Sequence, residues 1–143
     1  MGELSPYITA VIIAWVTAQG VKYVLQVYKT RSIASFRQLY LSGNMPSSHS
    51  ATTVALATTI GLADGVGTPL FALALLFAAV VMYDAVMVRR SSGEQGVAIK
   101  ALIREQGSKV RLPRAAKGHE PLEVTVGALL GFCIGLAVFS IIG

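Results

Sequence analysis

The stretch GVGTPLFALALLFAAVVMY, residues 65–83, runs without a single charged side chain. An uncharged apolar run of about 18 or more residues is long enough to cross the hydrocarbon layer of a bilayer. Residues 4–21 and 124–143 meet the same standard. Residues 38–63 form an uncharged run interrupted only by His49, but their apolar part from Ala51 to Ala63 is short for a full crossing. The whole chain of 143 residues is 54% hydrophobic and 13% charged, with a mean hydropathy of +0.65. A soluble domain of this size carries about twice that charge. The sequence therefore predicts an all-α integral membrane bundle of about four transmembrane helices, a single domain over residues 1–143. The spans fall near 5–28, 46–63, 67–88 and 120–142, with a basic loop at 89–118.

The positive charge sets the orientation. All twelve Lys and Arg lie in two places, Lys22 to Arg37 and Arg89 to Lys117. The positive-inside bias puts both regions in the cytoplasm and both termini outside, in a bacterial inner membrane. Topology and anionic lipid headgroups account for most of the net +5 charge, and no nucleic acid is called for. Within the long loop, residues 97–104 carry mixed helical patterning that fits a short helix on the membrane surface. The N-terminus does not read as a signal peptide, because Glu3 and no Lys or Arg precede the apolar segment. Cys133 has no partner for an internal disulfide and reads as a small buried hydrophobe.

With this topology every unusual polar cluster reaches one membrane face. Lys22 ends the first span, the stretch GNMPSSHSA (43–51) opens the second, Tyr83-Asp84 and Arg89-Arg90 close the third, and Gly118-His119-Glu120 opens the fourth. The chain has only two histidines, and both stand at helix starts on that face. His119, Glu123, Gly127, Gly131 and Gly135 are spaced by four and form one stripe. A carboxylate one turn from an imidazole fixes its tautomer and leaves the other nitrogen as nucleophile or base. The pair reads equally as an interfacial cap. The glycines below it admit close approach of another helix. Gln19, Lys22, Gln26 and Lys29 form a second stripe, and polar groups at that depth face a protein interior or water. Pro46 suits a first helical turn, and Asn44 or the following serines can cap the exposed amides. Such a helix start binds anions, with Ser47 and Ser48 adding hydroxyls.

These residues resemble the type-2 phosphatidic acid phosphatase superfamily, which includes membrane lipid phosphatases and vanadium haloperoxidases. The similarity is to its divergent small branch, described as acid phosphatase/vanadium-dependent haloperoxidase-related, and it rests on GNMPSSHSA, MYDAVMVRR (82–90) and GHEPLEVTVG (118–127). The resemblance implies that Lys22 is the first-motif lysine and that Ser47, Ser48 and His49 are the second motif. Arg90 or Arg89 stands for the third-motif arginine, His119 for the nucleophile, and Glu123 for the aspartate that orients it. Ser48 stands where the family has Gly, no Arg-Pro follows Lys22, and 28 residues separate Arg90 from His119. Asp84 has no counterpart in the motifs; it is left to pair with Arg89 or Arg90, or to hold Lys22.

The implied chemistry is hydrolysis of a phosphomonoester. Lys22, Arg89 or Arg90, and the amides and hydroxyls of Ser47 and Ser48 cradle the phosphate; His119 attacks, and His49 protonates the leaving alcohol and then activates water. No cofactor or metal is required. The expected substrate is a membrane phospholipid or isoprenoid phosphate, with phosphatidylglycerophosphate first, and a polyprenyl phosphate or diphosphate, or phosphatidic acid, next. Two alternatives of other classes stay open: a non-catalytic lipid-binding scaffold, and a metal site built from His49, His119, Glu123 and Asp84. Few helices to wall off a site make a homodimer plausible.

Overall fold

A computed structural model describes residues 5–31, 45–113 and 118–143. It is all helix among these residues: α1 (Pro6–Thr30), α2 (Ser48–Ala63), α3 (Pro69–Tyr83), a π-helical turn (Asp84–Val88), α4 (Arg89–Glu105) and α5 (Pro121–Ile142). Proline opens α1, α3 and α5 within the first turn, where its missing N–H is not needed. Thr68 caps α3 by accepting from the Phe71 amide. Within α2, the hydroxyls of Thr52, Thr53, Thr58 and Thr59 donate to carbonyls on the preceding turn, so none needs water.

Among the described residues three helices are long and apolar enough to cross a membrane: Pro6–Lys29, the continuous Pro69–Glu105, and Pro121–Ile142. At 16 residues α2 is shorter. It lies within the bundle all the same, packed on α1, α3 and α5. The surface of the bundle is apolar, with Ile8, Trp15, Leu73, Phe77, Leu129 and Phe132 all exposed; Cys133 is exposed with them on the apolar surface, not buried as expected. The interior is made of small residues. This inversion of a soluble fold suits a lipid surround, where nothing drives large side chains inward and close backbone approach holds helices together.

The packing settles which ends meet. A Cβ on Gly127 would run into the Ser47 carbonyl, and one on Gly131 into that of Ala51. One on Gly135 would come within 2.9 Å of the Ala55 carbonyl oxygen. Positions 47, 51 and 55 thus match 127, 131 and 135, so α2 and α5 run parallel with both N-termini at one end. On α1, Ala10, Ala14 and Ala18 are completely buried against this pair, in one core with Ala51, Ala55 and Val138. Tyr7, near the start of α1, donates to Asp64 at the end of α2 (2.8 Å), so α1 is antiparallel to α2.

The helix boundaries correct two expectations. The basic stretch does not begin as a loop at 89, nor does its helix start afresh at 97. The third helix passes through the π turn straight into α4, making 37 residues of continuous helix. At 1.5 Å per residue that is about 55 Å, against a hydrocarbon core of about 30 Å. The last turns of α4 therefore stand outside the apolar layer. Likewise α2 starts at Ser48 with Ser47 as its N-cap, which places Pro46 before the cap and not in the first turn. Asn44 lies outside the described residues.

Candidate active site

Each polar group at the histidine end is held by a local device. His119 is 4% exposed, and its amide donates to the carbonyl of Ala85 in the π turn (3.2 Å). This bond fastens the start of α5 to the middle helix. One residue earlier, Gly118 lies against the backbone of Arg90 so closely that no Cβ would fit. The His119 ring is fixed from the other side, its Nδ1 lying 2.8 Å from Oε2 of Glu123. A carboxylate there accepts the Nδ1–H and leaves Nε2 as the reactive nitrogen. Glu123 is itself held, since the Glu120 amide donates to the same Oε2 (3.2 Å) within a capping box. Its backbone carbonyl accepts from the Ser47 amide (3.0 Å), locking α5 to the head of α2.

Those bonds change the role of Ser47. Its hydroxyl accepts from the Ser50 amide (3.3 Å) and from the Ser50 hydroxyl (2.9 Å), and its own amide is spent on Glu123. Ser47 is fully buried. It is a cap and a helix clamp, and its amide is not free for a phosphate. The open donors of the first turn are instead the amides of Ser48 and His49. The Ser48 side chain is buried, whereas His49 is exposed at the mouth of the bundle.

The ring of His49 sits in a shared field, within electrostatic reach of Arg89, His119, Lys22 and Asp84. Four elements thus bring their polar ends together, as the loop charges and the two histidines require. Lys22 continues the buried Ala10, Ala14, Ala18 stripe by one more turn and is 5% exposed. A cation that deep is costly without an anionic partner. Among the described residues no carboxylate lies within ion-pair distance of it, and Glu123 acts on it only through space. Lys22 is thus a buried charge with no ion-pair partner among the described residues. Its stripe reaches no further, for Gln19 and Gln26 are half-buried but Lys29 is exposed.

The two arginines separate cleanly. Arg89 acts on His49 through space and is paired with Asp84 (2.7 Å), whereas Arg90 pairs with Glu94 on the exposed side of α4 (3.2 Å). Asp84 therefore belongs to Arg89. Tyr83 is exposed, and no hydrogen bond ties it to the cluster among the described residues. Sequence reasoning missed the π turn and the Ala85 carbonyl that anchors His119, and neither leaves a readable signal; the capping expected of the serines after Pro46 falls to Ser47. No group of three or more His, Cys, Asp or Glu among the described residues is gathered so as to hold a metal ion.

A family model described as "Divergent PAP2 family" matches residues 5–134. The uncharacterized membrane protein YuiD of Bacillus subtilis (strain 168) is 34% identical over 140 residues, covering 87% of this chain and 88% of that protein. No solved structure matches.

Proposed function

The chain belongs to the divergent PAP2 family, and from that premise we propose that it is a lipid phosphate phosphatase working through a phosphohistidine. One observation carries the reading: the buried His119, tied to Glu123 at 2.8 Å, lies at the same end of the bundle as His49, Arg89 and a Lys22 that no carboxylate pairs among the described residues. A phosphate dianion placed there meets two fixed cations, Lys22 and Arg89, and the first-turn amides of Ser48 and His49 at a helix start. His119 Nε2 attacks phosphorus, and the bond from phosphorus to the alcohol oxygen breaks. His49, open at the mouth, gives that oxygen its proton. A water then attacks the phosphohistidine, passes a proton to His49 and releases inorganic phosphate, which restores both rings.

The positive-inside bias assigns this end to the cytoplasmic face of a bacterial inner membrane, with both termini outside. A lipid fits there with its tails between the exposed apolar helices and its phosphate among the polar ends. Phosphatidylglycerophosphate is the first choice, with a polyprenyl phosphate or diphosphate, or phosphatidic acid, behind it. A second copy would complete the walls around so few helices.

The test is phosphate release by purified protein against a panel of phospholipid and isoprenoid phosphates, with and without excess chelator, beside His119→Ala. Release that survives the chelator and vanishes in the variant is expected. Release lost in chelator would favour the metal reading. No release from any lipid by correctly folded protein would leave a lipid-binding scaffold.

A further inference from the structure

We propose that the side-chain amide of Gln19 forms a subsite for a headgroup hydroxyl beside the phosphate pocket, selecting a glycerol phosphate headgroup over isoprenoid phosphates and phosphatidic acid. This rests on the phosphatase reading and names its substrate class.

Gln19 Oε1 is a buried acceptor that no donor among the described residues reaches. Native proteins rarely leave such an atom unpaired, because it has given up water for nothing. The penalty is not softened here, since the neighbouring Ala18 and Lys22 are buried and α1 is one of the membrane-crossing helices. An apolar residue of the same length would fill the space without it. The amide therefore has a use that the ligand-free chain does not reveal.

Its position indicates that use. Gln19 precedes Lys22 by three residues, which places it about 60° around α1 and about 4.5 Å further into the membrane. A phosphomonoester held by Lys22 and His119 brings the carbons next to its ester oxygen to that depth. An orphan acceptor there calls for a donor. The glycerol of a glycerol phosphate headgroup carries a hydroxyl one carbon from the phosphoester. An isoprenoid chain has no donor, and the diacylglycerol of phosphatidic acid offers only ester oxygens, which are acceptors. The hydroxyl is the group that matches.

The experiment compares phosphate release from phosphatidylglycerophosphate and from its analogue lacking the headgroup hydroxyl, with wild-type protein and with Gln19→Met. Gln19→Leu is run alongside in case one side chain packs poorly. Wild-type kcat/KM is expected to favour the hydroxyl substrate by roughly 10-fold or more, since an unmade bond to a buried group is costly. Gln19→Met is expected to erase that preference while leaving the analogue within about 2-fold of wild type. Ligand-free Gln19→Met is expected to melt at or above the wild-type temperature, because the orphan acceptor is gone. A preference that persists in both variants, or an equal loss on both substrates, overturns the subsite. So does a wild-type preference for phosphatidic acid that disappears with the amide. If wild type releases phosphate from none of these lipids while the Gln19 variants still melt higher, the phosphatase reading has failed and the subsite falls with it.

Discussion

Asp84 and Arg89 are five residues apart in sequence and 2.7 Å apart in space. In an α-helix such residues sit about 140° apart around the axis and cannot touch. The π turn over Asp84–Val88 widens the helix and brings them onto one side. The same turn presents the Ala85 carbonyl to the His119 amide. One local irregularity thus aims an arginine and anchors a histidine, as single π turns often do at functional sites.

Asp84→Asn is therefore expected to loosen Arg89 without loosening the fold. Both side chains are more than a third exposed, and exposed pairs contribute about 0–1 kcal/mol to stability. The melting temperature should hardly move. KM for a lipid phosphate should rise several-fold with kcat less affected, and Arg89→Ala should lower kcat/KM by roughly 10- to 100-fold, the worth of a charge-assisted hydrogen bond. Arg90→Ala should change neither, because that side chain pairs with Glu94 away from His49. An effect of Arg90 equal to that of Arg89 would reverse the assignment.

The sequence made the long apolar runs, the shared end of both histidines and the Glu123 partner legible, because each follows from charge or from a spacing of four. It could not show the π turn. An inserted register shift leaves no periodic trace in MYDAVMVRR, whose residues look like an ordinary span end. Nor could it rank Arg89 over Arg90, since neighbours on a helix point about 100° apart and only the register decides which faces inward. The long loop was misread for a related reason. Gly93 and Gly96 look like breaks, yet both are buried positions inside α4.

Glu123→Gln separates orientation from structure. An amide fills the same space but can present its N–H to the ring, which favours the wrong tautomer of His119. Turnover should fall by roughly 10²- to 10⁴-fold, in the range seen when an orienting carboxylate or a general acid–base is lost. Labelled lipid phosphate should no longer trap on the protein as phosphohistidine. Glu120→Gln, which alters the other half of the same capping box, should cost at most about 1 kcal/mol in stability and leave turnover nearly intact. Equal losses in the two variants would mean that the cap, and not the ring, is what Glu123 serves.

The glycine stripe makes a prediction about stability alone. Gly131→Ala puts a methyl group into the Ala51 carbonyl, and neither helix backbone can yield without shifting the interface. Overpacking of this kind costs about 1–3 kcal/mol, and a fall of several degrees in melting temperature in detergent is expected. Gly20→Ala is the control. Nothing lies within 4 Å of a Cβ there, and alanine gains helix propensity of up to about 1 kcal/mol. That variant should melt at or above wild type.

Orientation is open to a labelling experiment. Ser92 is exposed on α4, at the end of the molecule where the histidines gather, in a groove of about 370 Å³ shared with Met87, Val88, Ser91 and Gln95. Val66 is 71% exposed in the short connection between α2 and α3, at the opposite end. With Cys133 replaced by alanine, Ser92→Cys and Val66→Cys give one reporter for each end. If Arg89 to Lys117 lie in the cytoplasm, a reagent confined to the outside of intact cells will modify position 66 and spare position 92. Permeabilised cells should then label at both. The reverse pattern in intact cells would put the histidines outside, where a lipid phosphate made on the inner leaflet could reach them only after crossing the bilayer.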